Sequence, residues 1–489
     1  MRAWLPAVIL LCGLWATRLP ALGGLPLHND EGLHLTRAVE VWNLHPFWVI
    51  SDGKIINHWP IAALYPQNAP VYAGRLPTLL IAVLGFAAGY ALMRARFGAA
   101  AAVLGGVLWI ASPYLLFFER LALSDAEAGA LVVVALWASL RLAQSGARRA
   151  ALLTGAAFGA AALFKFTALP FALMIALVVL LLAVYPLRRR LELLIITAAA
   201  AAACFIVPVA YIVVTGRDFF TIALGWVSSG AGGASIAANI ARLVDPLFGF
   251  GTVVWAVALL AGLAALVITR PRVGGVLVLA VGLPLISMIV LGREVLPRHF
   301  VVALPVMLIL AGAGLAALIA QVPSRQWRAV VAVAVLLVLS VAFLRFAAVL
   351  YRSPGDAPLP TQIRTQYITE HSGGFGLREA VIGLPNTLDR PDLPIIASMF
   401  PDGCRRANFY AEHSLRLTCT DAPGLPQIEA ALADHGAVYV LVDTAPHIGA
   451  DVPQTAPSLA ATAVQIGVYP RPGEDAATAS VTLWLLTRD

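Results

Sequence analysis

Residues 188–214 read RRRLELLIITAAAAAACFIVPVAYIVV. Three arginines stand at one end, and Glu192 is the last charged side chain before Arg217. An α-helix needs about 20 apolar residues to cross the hydrocarbon core of a bilayer. Arginines clustered at one flank mark the cytoplasmic side of such a span. The stretch therefore reads as a transmembrane helix entered from the cytoplasm. The same unit recurs on both sides of it. Spans are expected near 3–22, 75–93, 99–117, 124–143, 151–167, 168–187, 193–214, 250–269, 273–291, 299–320 and 329–350. Segment 151–187 is divided in two because Lys165 and Pro170 interrupt it and because the parity of the connectors then works.

Composition agrees. The 489 residues are 60% hydrophobic and only 12% charged, with a mean hydropathy of +0.85, whereas a soluble chain is about one quarter charged. Every second connector is short and basic: Arg94 and Arg96, Arg148 and Arg149, Arg188 to Arg190, Arg270 and Arg272, Arg325 and Arg328. Those loops are cytoplasmic by the positive-inside rule. The longer connectors 24–74 and 215–249 then lie outside, as does everything after residue 350. The net charge of +7 is thus a signal of topology, and nucleic acid is excluded as a partner. Four cysteines imply no disulfide scaffold. The run Ala3–Thr17 has one basic residue before it and no clean small-residue cleavage site, so it reads as an uncleaved first span rather than a signal peptide.

Composition changes at Tyr351. Pro354, Pro358 and Pro360 follow, then β-rich runs at Pro394–Phe400, Leu415–Thr420, Ala437–Asp443, Ala463–Val468 and Ser480–Thr487. Helical patterns at Leu377–Leu384 and Gln427–His435 lie among them. This alternation predicts a small α/β domain. The fold expected is a polytopic all-α membrane domain, residues 1–350, with about 11 transmembrane helices, followed by a small extracytoplasmic α/β domain, residues 351–489. Cys404 and Cys419 both fall in that domain, where a disulfide and two free thiols remain open alternatives.

Charges at the edge of a membrane domain mark function, and four places qualify. His28-Asn29-Asp30-Glu31-Gly32-Leu33-His34 follows the first span, and its acid pair opens a helix expected over Glu31–Trp42; the acids also suit a helix N-terminus. Glu119-Arg120 to Ser124-Asp125 forms the turn before the fourth span, where Ser124 or Asp125 can cap the helix. Lys165 lies between Phe164 and Phe166 in a chain with only one other lysine, Lys54, and needs an anionic partner, either an acid on a neighbouring helix or a phosphate. Arg293 and Arg298 break the positive-inside pattern. All four places lie on the outer side. Together they supply a carboxylate to activate an acceptor hydroxyl and cations for a phosphate leaving group.

The sequence resembles the GT-C class of membrane glycosyltransferases, in the branch of bacterial protein mannosyltransferases and aminoarabinose transferases. The resemblance covers roughly residues 1–350. It rests on Asp30-Glu31, Gly74-Arg75-Leu76-Pro77, Arg94-Ala95-Arg96-Phe97-Gly98, Ser112-Pro113-Tyr114, Arg120 to Asp125, Gly159 to Lys165, and Leu296-Pro297-Arg298-His299-Phe300 leading to Pro305. It implies that Asp30 is the base or a ligand for an activating metal, that Glu31 supports it, and that Asp125 is a second acid. Lys165, Arg298, Arg293, Arg75 and Arg120 are implied to bind the donor phosphate. A divalent metal, if used, is expected on Asp30, Glu31 and His34, although their spacing matches no zinc motif. The donor implied is a polyprenyl-phosphate sugar, and the location a bacterial cytoplasmic (inner) membrane. The acceptor, whether protein, lipid or glycan, is not specified. One departure is Gly32-Leu33-His34-Leu35, where the family often carries an aromatic run. Thr365-Gln366-Tyr367 and Gly373 to Ala380 are similar to a segment after the last span in some bacterial members, which could fold back on the active site.

A non-enzymatic transporter or flippase of lipid-linked glycans is the competing reading. It predicts paired charges near the bilayer midplane and related repeats. Here the charges cluster at one face. An O-antigen-ligase-like enzyme gives the acid pair no role, and an inactive assembly factor has no use for the retained acids.

Overall fold

The computed structural model describes residues 4–47, 53–65, 69–216, 218, 221, 235–250, 253–292, 295–399, 401–411, 415, 417–420, 424–444, 451–475 and 480–488. Most of the first 350 residues form helices. Among the described residues five of these are long and apolar enough to cross a membrane, Pro70–Phe97, Ser124–Ser145, Leu187–Val214, Pro271–Leu291 and Arg325–Arg352, or six if the bent pair Ile236–Gly249 and Val253–Thr269 is one span. Shorter apolar helices occupy Leu5–Arg18, Ala99–Ile110, Phe166–Leu182 and Leu304–Ala320. The shorter ones have local causes. Ala99–Ile110 stops before Pro113, where the Ser112 hydroxyl accepts from Leu115 N and restarts the chain as a separate turn, Pro113–Phe118. Arg148–Phe164 stops at Lys165, whose backbone is extended, and Phe166–Phe171 continues as a 3-10 helix around Pro170. The interruption expected at Lys165 and Pro170 is therefore present.

Small residues set the packing between these helices. A Cβ placed on Gly314 would lie 1.8 Å from the Gly262 carbonyl oxygen, and one on Gly312 would lie 2.2 Å from Gly105 N. Helices Leu304–Ala320, Val253–Thr269 and Ala99–Ile110 thus meet backbone to backbone, as membrane helices do when van der Waals contact replaces the hydrophobic drive. Ser124–Ser145 is central and almost wholly buried, whereas Arg325–Arg352 and Leu187–Val214 expose most of their apolar surface. In a bilayer that surface meets lipid.

Residues 395–488 form a five-stranded sheet: β1 (Ile395–Ser398), β2 (Leu417–Thr420), β3 (Ala437–Asp443), β4 (Ala461–Pro470) and β5 (Ser480–Arg488), in the order β2-β1-β3-β5-β4. β1 pairs in parallel with β2 and β3, while β5 runs antiparallel to β3 and β4. Side chains alternate across it. Ile395, Ala397, Tyr439 and Leu441 pack on helices Leu377–Thr387 and Pro401–Tyr410, while Ile396, Val438, Val440 and Val442 pack on Leu425–His435. Helix Pro401–Tyr410 was not anticipated, because its Cys404, Arg405, Arg406 and Asn408 carry no apolar periodicity. Cys404 and Cys419 form a disulfide with Cα atoms 5.6 Å apart.

Replacing Gly314 with valine forces the helix pair apart. Overpacking of this kind costs about 1–3 kcal/mol, so Gly314→Val is expected to melt at lower temperature in detergent than the native chain.

Candidate active site

The chain leaves its first helix at Arg18, which is buried. Its guanidinium pairs with Glu119 at 2.9 Å and donates to the carbonyls of Trp109 and Ile110. Arg120 donates to the carbonyls of Pro20 and Ala21, both at 2.6 Å, and lies over the Tyr351 ring. Arg75, fully buried on helix Pro70–Phe97, donates to Leu22, Leu25 and Pro26 and holds Glu31 through two bonds of 2.8 Å. All five of its N–H groups are used. Arg75 and Arg120 are candidates for the donor phosphate; every Arg75 donor is engaged by the loop that leads to Asp30 and by Glu31, whereas only Nη2 of Arg120 is engaged there, its Nε and Nη1 being buried without a hydrogen-bond partner. Arg293 lies outside the described residues.

Helix Asn29–Trp42 begins with a reciprocal cap. His28 Nδ1 accepts from Asp30 N at 3.1 Å, and Glu31 Oε2 accepts from His28 N at 2.9 Å. Burial, opposed in part by Asp30, lowers the His28 pKa to about 3, so the ring stays neutral and can accept. Glu31 also accepts from Ala122 N at 2.8 Å. It joins three segments and is itself fully buried. Burial alone would raise the Glu31 carboxyl, but Arg75 and the backbone donors outweigh burial and hold it below its ordinary value.

Asp30 faces the other way. Its Oδ2 lies 3.0 Å from Lys54 Nζ and 2.9 Å from an Arg298 Nη, and its side chain keeps 22% exposure. Burial pushes this carboxyl up, and Arg298 and Lys54 overcome it, leaving the group well below the usual carboxylate range. Asp125 pairs with Lys165 at 2.6 Å, both buried. Helix Ser124–Ser145 has no side-chain cap, so the capping alternative for Ser124 and Asp125 gives way to an ion pair. Arg298 sits in the 3-10 turn Pro297–Val302, whose Pro297 carbonyl accepts from Tyr114 Oη at 2.6 Å. Tyr367, from the segment after the last long helix, stacks on His28 with ring centroids 4.5 Å apart and brings its buried phenol beside Arg298.

Sequence reasoning did not assign Lys54 to the site. Its partner here is decided by a backbone exchange: Phe166 N donates to Gly53 O at 3.0 Å and Ile55 N to Leu163 O at 3.0 Å. Gly53 has φ +65, and a Cβ there would press on Phe166 at 3.1 Å, so the close approach requires glycine. This contact brings together the chain's only two lysines. The one available signal was their rarity.

Asp30, Asp125, Lys54, Lys165 and Arg298 leave one positive charge in excess. Around them lie two buried oxygens without a protein partner, Asp125 Oδ1 and Ser124 Oγ. Such a constellation has the net charge to accept an anion beside a carboxylate. Of the set expected to hold a metal, Glu31 is engaged by Arg75 and backbone N–H groups and His34 Nδ1 by the Ala122 carbonyl at 2.7 Å, while His34 Nε2 has no hydrogen-bond partner. Among the described residues no group of three or more His, Cys, Asp or Glu side chains could hold a metal ion.

Residues 67–213 match the model of a family described as dolichyl-phosphate-mannose-protein mannosyltransferase. That stretch contains Arg75, Asp125 and Lys165. No curated protein matches the chain in sequence. The fold is similar to that of ArnT from Cupriavidus metallidurans, solved bound to undecaprenyl phosphate (TM-score 0.64, 15% identity, covering 98% of this chain and 97% of that one) and in the apo state (TM-score 0.62, 16% identity, 98% and 97%). It is also similar to the arabinofuranosyltransferase AftD from Mycobacteria, at TM-score 0.50 and 18% identity, covering 100% of this chain but 40% of that one. The family match and the end-to-end likeness of fold to ArnT support the GT-C class resemblance and a multi-pass membrane protein.

Two neighbouring carboxylates are expected to behave differently. Glu31→Gln leaves the Arg75 charge buried without a counter-charge, a loss of about 3–5 kcal/mol, and should sharply lower the melting temperature. Asp30→Asn, at a partly open site, should melt close to the native chain. The folded-state pKa of Glu31 is depressed, so its contribution is present above the unfolded carboxyl value of about 4.3 and is lost as pH falls through the folded value. Acid titration of the melting temperature should therefore be shallower in Glu31→Gln.

Proposed function

We propose that this chain is a glycosyltransferase that moves a sugar from a polyprenyl-phosphate donor to an acceptor hydroxyl at the outer face of a bacterial cytoplasmic membrane. The observation that carries this reading is the meeting of Lys54, Lys165 and Arg298 with Asp30 and Asp125 at a largely buried but partly open site. One excess positive charge suits the single negative charge of a phosphodiester-linked sugar. The proposed topology has eleven crossings, cytoplasmic arginine loops and an outer C-terminal domain; the Cys404–Cys419 disulfide supports that side, since disulfides persist in oxidising compartments.

In the reaction proposed, the acceptor oxygen attacks the anomeric carbon as the bond from that carbon to the phosphate oxygen breaks. The bonding pair leaves with the phosphate, whose negative charge grows. Lys54, Lys165 and Arg298 stabilise that charge as it develops. Asp30 takes the hydroxyl proton. While Asp30 holds both Lys54 and Arg298 it is a weak base. As the phosphate draws those cations away, its basicity rises toward the value the proton transfer needs. Asp125 keeps Lys165 charged and aimed inward. Displacement from the face opposite the phosphate inverts the anomeric centre. No step is assigned to a metal.

The test uses the full chain in lipid nanodiscs, a panel of polyprenyl-phosphate sugars and a mixed acceptor pool from native membranes. Asp30→Asn is expected to lower kcat by about 100-fold or more, as loss of a general base does, while still binding undecaprenyl phosphate. Lys165→Met and Arg298→Met should weaken undecaprenyl phosphate binding by about 10- to 100-fold, the range for a hydrogen bond to a charged group. Equal turnover by Asp30→Asn and the native chain would remove Asp30 from its role. Phosphate binding without consumption of any donor would favour the transporter reading.

A further inference from the structure

Helix Pro401–Tyr410 of the C-terminal domain packs against the Asp30 loop. Arg406 on that helix is buried, 1% exposed. Its guanidinium donates to the Leu27 carbonyl at 3.2 Å, to Ser372 at 3.1 Å and to His371 at 2.8 Å. Tyr410, one turn further, accepts from Leu27 N at 2.5 Å. Leu27 precedes the His28 cap and lies three residues from Asp30. The same helix packs directly on the Asp30 helix: a Cβ on Gly32 would lie 2.6 Å from Arg406 Cγ. Phe409 and Tyr410 join Leu35 and Ala38 in one apolar cluster. Arg378, on the neighbouring helix, donates to Gly24 O at 2.6 Å.

What holds this helix is also local. Cys404 stands two residues before Arg406 and is bonded to Cys419 on β2. The strand is only four residues long and lies at the edge of the sheet, so the covalent link ties the helix to that edge beside its packing on β1 and β3.

We infer that Arg406 is a positioning residue for the proposed transferase reaction, setting the Asp30 loop through the Leu27 carbonyl, and that the Cys404–Cys419 disulfide keeps it there, making turnover dependent on the oxidised state. The inference rests on the transferase reading, yet the position of the loop can be measured without it. Arg406 touches none of Lys54, Lys165 or Arg298 in the contacts above. Its removal acts on the geometry of the base and leaves the phosphate cations in place.

The experiment compares the oxidised chain, the chain reduced with a phosphine and verified by thiol alkylation, the double variant Cys404→Ser/Cys419→Ser, Arg406→Ala and Arg406→Lys, all in nanodiscs. Three quantities are read: kcat with the consumed donor, the Kd of undecaprenyl phosphate, and hydrogen exchange of residues 27–35. Reduction and Arg406→Ala are expected to lower kcat by about tenfold or more, as misplacement of a catalytic group does. The Kd should change less than about threefold, below the effect of losing one charged hydrogen bond. Exchange over 27–35 should rise, while that of Ser124–Ser145 should not. Reoxidation should restore the native chain and leave the serine double variant low. Arg406→Lys should recover part of kcat, because an ammonium can still reach a carbonyl. Unchanged kcat and exchange in the fully reduced chain and in Arg406→Ala would overturn the inference. So would a loss of phosphate binding as large as the loss of turnover, which would mean general collapse of the site. Faster exchange at 27–35 in a chain that consumes no donor would sink the transferase reading and leave the loop contact standing.

Discussion

The structure depends on how one short loop satisfies its backbone. Between the first helix and Asp30, the carbonyls of Pro20, Ala21, Leu22, Gly24, Leu25, Pro26 and Leu27 each accept from an arginine: Arg120, Arg75, Arg378 or Arg406. A loop packed between a membrane domain and a soluble domain has little water to turn to, and an unpaired buried carbonyl is costly. A guanidinium can serve several carbonyls at once because its five donors fan out in a plane. The charge this brings inside is balanced at Arg75 by Glu31. Asp30 is thereby held at the end of a rigid strap and not on a free loop.

The strap separates two adjacent acids into different work. Glu31 turns into the protein and is saturated by Arg75, Ala122 N and His28 N. Asp30 turns outward to Lys54 and Arg298. Consecutive positions at a helix N-terminus point about 100° apart around the axis, so a pair can serve two environments. The cluster on the outward side contains carboxylates already paired with cations. In the reaction proposed, its chemistry is an exchange of partners, a phosphate displacing Asp30 from its cations and freeing it to take a proton.

Much of the architecture was legible. The apolar runs marked a mostly helical domain with several apolar helices, five or six of them long enough to cross a membrane among the described residues against about eleven expected, and the break at Lys165 was marked by the charge and Pro170. β3 appears at its expected limits, Ala437–Asp443, and the other strands within a few residues, because alternation of apolar residues is a local property. At the site, Asp30, Asp125, Lys165 and Arg298 were named from their cost in a membrane. Arg75, Arg120 and Glu31 were named by the same argument, and Arg75 and Glu31 spend their polar atoms on each other and on backbone groups. Cost identifies a buried charge but not its partner. A carbonyl satisfies an arginine as well as a phosphate does, and the sequence carries no mark of which is near.

The amino-acid sequence by itself determined what is periodic or compositional: a helical apolar domain, its basic loops, the change of regime at Tyr351, and the rarity of lysine. Tertiary structure alone decided which charges meet. Lys54 reaches Asp30 because Gly53 and Ile55 exchange backbone bonds with Phe166 and Leu163, far along the chain. Arg406 reaches Leu27 from the opposite end of the molecule. Hydrophobic periodicity is written into neighbouring residues, whereas an ion pair or a carbonyl contact is fixed by the path of the whole chain in space.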